Sequence, residues 1–114
     1  MALSIKPYIE NKERIHLIGI GGVSMNSLGE LLLSRGVPIS GSDRLRTDVT
    51  ARLEALGAKI TYEHKPENVE GASLIVRTAA VHDDNPEIVR AHELGIPVME
   101  RAEAWGHLMR DYDN

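Results

Sequence analysis

Residues 15–36 read IHLIGIGGVSMNSLGELLLSRG. Residues 15–20 are an apolar run with β-branched side chains, short enough for a strand buried on both faces. Gly19, Gly21 and Gly22 follow closely, and Met25, Leu28 and Leu32 then recur at helical spacing until Gly36, which fits a helix C-terminus. Strand, glycines and helix in that order approach the dinucleotide-binding fingerprint. The third spaced glycine is replaced by Ser24, however, and Gly21–Gly22 is a doublet the spaced motif does not require. The loop is therefore a cofactor loop with one substitution or a related loop for a different phosphate ligand.

Working outward, the polar residues 1–14 carry Pro7 and read as a loose, flexible lead-in. Downstream, residues 37–41 are a weak strand followed by SDRLRTD. Val49, Leu53 and Leu56 mark a helix that Thr47 or Asp48 could cap and Gly57 ends. Residues 58–62 are a third strand, HKPENVEG a connector with one helical turn, and 73–78 a second clearly buried strand. DNPEIVRAHELG signals a helix with Asn85 as N-cap, Pro86 at the first helical position, Glu87 complementing the dipole and Gly95 closing it. Residues 96–100 make a fifth strand, and Ala102, Trp105, Leu108 and Met109 mark one face of a terminal helix. Strands alternating with helices through short loops predict an α/β fold: a Rossmann-like, doubly wound parallel sheet of about five strands, order 3-2-1-4-5, with helices on both faces.

A chain of 114 residues is one domain, large enough for a core without metal or disulfide staples. With 4% aromatic residues and no Phe, that core is aliphatic. A net charge of −4 argues against a nucleic-acid partner, and zero cysteines exclude a disulfide framework or thiolate chemistry. No apolar run approaches the ~20 residues of a membrane span, and MALSIKPYIENKER lacks a signal-peptide core. The expectation is a cytoplasmic protein with no membrane partner.

In such sheets ligands sit beyond the carboxyl ends of the strands, at the switch point between the first and fourth strands. That edge comprises residues 19–24, Ser42–Asp43 and residues 77–82. The glycines let backbone approach a ligand, and the helix behind them offers free N–H groups and partial positive charge; the plainer alternative is close strand–helix packing. Asp43 stands where an acidic residue accepts from ribose hydroxyls, or else it starts a turn. His64 could reach the same rim or be a solvated loop residue. Arg77 could pair with phosphate or snorkel from its strand end. His82, Asp83 and Asp84 are metal-ligand types at spacing that makes a poor site, and His92 and His107 fall on helices. No nucleophile–base pair, carboxylate pair or GK[ST] loop is present, so the chain shows a binding site, no catalytic residues and no metal site.

The combination IHLIGIGGVSMNSLGELLL, ISGSD, RLEALGAKI and DNPEIVRAHELGIPVMERAE resembles the amino-terminal domain of the Mur ligase family over residues 15–109. The specific parts are the G-x-G-G-x-x-M loop of residues 19–25, the SGSD of residues 40–43 and the run 85–103; Ser24 departs from the family's usual Gly. The resemblance implies a domain, residues 15–114, that binds the UDP part of UDP-N-acetylmuramate without NAD, in a ligase of peptidoglycan synthesis. Such a ligase activates the lactyl carboxylate as an acyl phosphate, which the amine of L-alanine then displaces. It also implies central and carboxy-terminal domains absent from this chain, the central one with a G-T-H-G-K-[ST] loop holding ATP and Mg; the chain ends at HLMRDYDN, about where that domain begins. No cofactor is implied for the first domain. Carried over, Gly21, Gly22 and Val23, beside Gly19 and Ile20, would offer backbone to the diphosphate. Ser42 and Asp43 would meet the uridine, and Thr78, Ala79 and Ala80 (with Val81) would line the far wall; His64 matches a family histidine. The alternatives are the NAD(P)-binding domain of an oxidoreductase, the related ligase that recycles murein tripeptide, and a ligand-independent scaffold.

Overall fold

The computed structural model of the protein describes residues 4–112, with side chains through residue 106. Five strands, β1 (Ile15–Ile18), β2 (Ile39–Ser42), β3 (Lys59–Thr61), β4 (Leu74–Arg77) and β5 (Val98–Glu100), form one sheet in the order β3-β2-β1-β4-β5. Every adjacent pair is parallel, as the alternating pattern predicts. Five helices accompany them: α1 (Lys6–Glu10), α2 (Val23–Ser34), α3 (Asp48–Ala55), α4 (Pro86–Leu94) and α5 (Arg101–Tyr112), with a 3-10 turn at Pro66–Val69. No helix among the described residues is long and apolar enough to cross a membrane.

Local chemistry sets the helix ends. Thr47 and Thr50 cap α3 reciprocally: Thr50 N–H donates to Thr47 Oγ1 and Thr47 N–H to Thr50 Oγ1. Asn85 Oδ1 accepts the Glu87 N–H at 2.8 Å at the start of α4, as its NPE sequence predicts. Gly95 turns left-handed (φ 73°) to end it.

The sheet's two faces bury different things. Ile15, Leu17, Ile39, Leu74 and Val76 join Met25, Leu28 and Leu32 of α2 and Leu53 of α3 in the larger core. Ile18 and Ile75 point the other way, against Ile88 and Ala91 of α4 and Val69 of the 3-10 turn. In α3, though, Val49 is exposed, as is Leu56 at its C-cap; Thr50 and Leu53 are its buried residues. Within residues 1–14, expected as a loose lead-in, the described part departs from that reading. It forms α1, and the N-cap Ile5 and Ile9 within the helix are buried in the larger core. Two isoleucines four apart were enough to dock a short helix despite the polar composition around them. In α5, Ala104 is buried and Trp105 packs on the core, whereas Ala102 is exposed. The side chains of His107, Leu108 and Met109 lie outside the described residues.

Candidate functional site

The switch point between β1 and β4 is an open cleft of about 540 Å³. Ile18 and Gly19 at the end of β1, Ala80, Val81 and His82 after β4, Asn85 and Pro86 at the start of α4, Arg44, His64 and Asp84 line it. It opens where parallel α/β sheets bind ligands, because strand order reverses there and the two connections diverge.

Beside it stands the glycine loop. Gly19 adopts φ 77°, a conformation glycine reaches without strain, and its N–H and that of Ile20 both donate to the Ser42 carbonyl, at 2.8 and 3.1 Å. The Gly22 N–H returns to the Gly19 carbonyl (3.0 Å), and the Gly21 N–H donates to Asp43 Oδ2 (2.8 Å). Asp43 Oδ1 also accepts the Arg44 N–H at 2.7 Å. Asp43 is thus a staple between the loops after β1 and β2. The amides of Gly21 and Gly22 are engaged within the protein, so the uncommitted amides begin one residue on. Gly22 is the N-cap of α2 and no side chain caps the helix, which leaves the first-turn N–H groups of Val23, Ser24 and Met25 without intrahelical acceptors. Val23 is itself 86% exposed.

Two expected contacts do not reach the cleft. Ile20 is fully buried: its side chain closes over Gly41, where a Cβ would lie 2.6 Å from Ile20 Cδ1 and 2.9 Å from the Leu17 carbonyl oxygen. Ser42 is fully buried too, because β2 is covered there by α4. Gly19, His64 and Ala80 do line the cleft, and Thr78 and Ala79 belong to the same turn as Ala80, closed by Val81 N–H donating to the Thr78 carbonyl at 3.0 Å. Arg77, a candidate phosphate ligand, holds that turn instead. Its guanidinium pairs with Asp83 at 2.6 Å and donates to the Val81 carbonyl, and the pairing keeps the Asp83 carboxyl below its ordinary pKa. Among the described residues no group of three or more His, Cys, Asp or Glu could hold a metal ion.

Below the cleft lies a polar network that sequence reasoning missed. Glu87 is fully buried, and its Oε1 accepts from His16 Nε2 and from Ser42 Oγ (3.0 Å). Its Oε2 accepts from His64 Nδ1 at 2.7 Å. His16, 1% exposed, hydrogen-bonds through Nδ1 to Ser40 Oγ at 2.9 Å. Burial alone would raise the Glu87 pKa, but the hydrogen bond and charge of His16, then the bonds from His64 and Ser42, outweigh it and hold the carboxyl below its usual range. The register explains the meeting: His16 pairs with Ser40 and Ile18 with Ser42, so His16, Ser40 and Ser42 share the face that α4 covers. A histidine inside the buried run IHLI was the available signal. Arg44, lining the cleft directly after Asp43, was the other residue not singled out.

The fold agrees with what comparison with known proteins finds. UDP-N-acetylmuramate–L-alanine ligase from Clostridium novyi is 47% identical over 103 residues, covering 90% of this chain and 22% of that protein. The same enzyme from Alkaliphilus metalliredigens is 50% identical over 101 residues, covering 89% of this chain and 22% of that one. Among solved structures, UDP-N-acetylmuramate–alanine ligase from Thermotoga maritima superposes with a TM-score of 0.77 at 38% identity, over 87% of this chain and 22% of that one. The chain therefore spans about a fifth of the length of these relatives. The model of the Mur ligase family, catalytic domain, matches residues 14–113, glycine loop, Asp43 and buried Glu87 included, and the chain belongs to the Mur ligase family.

Proposed function

We propose that this chain is the substrate-binding domain of an ATP-dependent UDP-N-acetylmuramate–L-alanine ligase of peptidoglycan synthesis, acting in the cytoplasm and holding the UDP part of its substrate. The observation that carries the reading is the switch-point cleft lying beside a helix N-terminus that no side chain caps. First-turn N–H groups of Val23, Ser24 and Met25, together with the helix dipole, suit a diphosphate. Arg44 adds a guanidinium, and the nucleoside would sit against Ile18, Ala80 and Val81 with His64 as a polar contact.

The domain's contribution is to bind and orient. ATP supplies activation of the lactyl carboxylate as an acyl phosphate in such a ligase, and the amine of L-alanine displaces the phosphate. This sequence contains no GK[ST] loop, and its described residues hold no cluster fit for a metal. ATP, Mg²⁺ and L-alanine therefore fall to the central and carboxy-terminal domains, the partners this reading implies. Asp43 does not separate this reading from the dinucleotide one: its oxygens accept backbone N–H groups, yet a carboxylate keeps further lone pairs for ribose hydroxyls. Isothermal titration with UDP-N-acetylmuramate and NADH in parallel tests the proposal. Preference for the uridine ligand is expected; NADH binding without uridine nucleotide binding overturns it.

A further inference from the structure

Resting on the UDP-binding reading, we propose that Glu87 is a positioning residue: it orients the His64 ring so that Nε2 faces the cleft as a hydrogen-bond acceptor for an N–H or O–H of the ligand's nucleoside. The carboxylate is immobile because it is held from three sides: Oε1 by His16 Nε2 and Ser42 Oγ (3.0 Å), Oε2 by His64 Nδ1 (2.7 Å). Glu87 is fully buried and anchored at the first turn of α4, whose cap is closed by Asn85. An ionised carboxylate only accepts, so His64 Nδ1 must carry the proton that faces it. Ser42 Oγ, 3.2 Å from the same Nδ1, gives its own proton to Glu87 Oε1 and so presents a lone pair to the ring. In neutral His64 the proton is then on Nδ1, and Nε2 bears the lone pair.

Where that lone pair points follows from the packing. Nε2 has no hydrogen-bond partner among the described residues, yet the buried unpaired side-chain atoms there are Arg14 Nε and Tyr62 Oη, not this one. His64 is 20% exposed and lines the cleft, so its inner edge is fixed and its outer edge is open to a ligand. Glu87 cannot touch that ligand itself. Its effect is to select the tautomer, since the opposite tautomer would present a donor N–H to the same ligand donor.

The test has two arms on the chain as it stands. Long-range ¹H–¹⁵N spectra at about pH 8, above the ordinary histidine pKa, should show His64 protonated at Nδ1 and bare at Nε2. An Nε2–H tautomer in the wild type overturns the inference whether or not any variant folds. Titration with UDP should then give a Kd raised about tenfold by His64→Ala, the equivalent of one hydrogen bond. Glu87→Gln should raise it similarly, and the double variant should be no worse than His64→Ala. Losses that multiply, or unchanged UDP binding in folded Glu87→Gln, make Glu87 merely structural and overturn the inference. Indifference to His64→Ala when 3-methyl-UDP is the ligand assigns the contact to the base imide; indifference with 2′-deoxy-UDP or 3′-deoxy-UDP assigns it to the ribose. A His64→Ala penalty retained in full by all three analogues overturns the acceptor role. Wild-type protein that binds no uridine nucleotide would instead overturn the UDP reading, and with it the ligand role of Nε2.

Discussion

Substituting Gly21 by Ala would set the loop against its own staple. A Cβ there would lie 2.8 Å from Asp43 Oδ2 and 3.0 Å from Thr50 Cγ2, inside the ordinary contact distance of about 3.5–4.0 Å. The displaced oxygen is the one that accepts the Gly21 N–H, and Thr50 cannot retreat because it is fully buried and bonded into the α3 cap. A hydrogen bond to a charged group contributes about 1.5–3 kcal/mol, the lower end applying to a partly exposed carboxylate; the squeeze on Thr50 adds about 1 kcal/mol of overpacking. Gly21→Ala should therefore cost about 2–3 kcal/mol, or about 8–12 °C in Tm at about 4 °C per kcal/mol for a domain of this size. Asp43→Ala loses the same bond plus that to the Arg44 N–H, about 3 kcal/mol in all. In the double variant the clash with Asp43 is gone, and adding Gly21→Ala should cost only about 1 kcal/mol more. Urea unfolding of the four proteins should give a coupling of about 1–2 kcal/mol, as for residues in contact. Additivity to within about 0.5 kcal/mol would refute the stapled-loop account.

Other outcomes follow from the same geometry. Val23→Asp puts a carboxylate on the exposed first residue of α2; it should raise stability by about 0.3–1 kcal/mol through the helix dipole while weakening UDP binding about tenfold or more by repelling the diphosphate. Unfolding and titration on one sample separate the two signs. Glu87→Ala leaves His16 buried without its carboxylate partner and should cost about 3–5 kcal/mol in chemical denaturation. Folding lowers the Glu87 pKa from its ordinary 4.5, so the folded protein takes up that proton less readily than the unfolded chain. The network's stabilisation is complete above about pH 4.5 and is lost as pH falls through the lower folded value. Subtracting the stability–pH curve of Glu87→Gln from that of the wild type should expose this acid limb; a flat difference would count against it. Gly41→Ala should cost about 2–3 kcal/mol, because its Cβ meets Ile20 and the Leu17 backbone oxygen at under 3.0 Å. By contrast, Gly29→Ala meets a Leu17 methyl at 3.3 Å and gains about 1 kcal/mol of helix propensity, so its net change in Tm should be small.

The elements were legible wherever a local rule carried the information. Asn85-Pro86 started a helix, Gly95 ended one, and the apolar runs at β1 and β4 marked the strands buried on both faces. Their alternation with helices was enough for a parallel sheet, since parallel neighbours need crossovers; the order 3-2-1-4-5 was an expectation from the doubly wound class, which the sheet bears out. The lead-in was misread because docking of α1 depends on Ile5 and Ile9 meeting the core, which a polar composition conceals. The site was legible only in outline. Gly19, His64 and Ala80 line the cleft, but Ile20 and Ser42 sit on loop and strand faces that turn inward.

Glu87 shows where sequence stops and tertiary structure begins. Next to Asn85 and Pro86, it reads correctly as a first-turn carboxylate on a helix, because capping and dipole effects act within one turn. Its burial against His16, 71 residues away, and Ser42, 45 residues away, depends on which face of α4 rests on which face of β1 and β2. That choice is made by packing of the whole sheet, and no spacing along the chain records it. The sequence alone therefore determined the alternation of strands and helices and the glycine turn that follows β1. Only the fold decided that Asp43 staples that loop, and that a buried glutamate governs the histidine at the cleft.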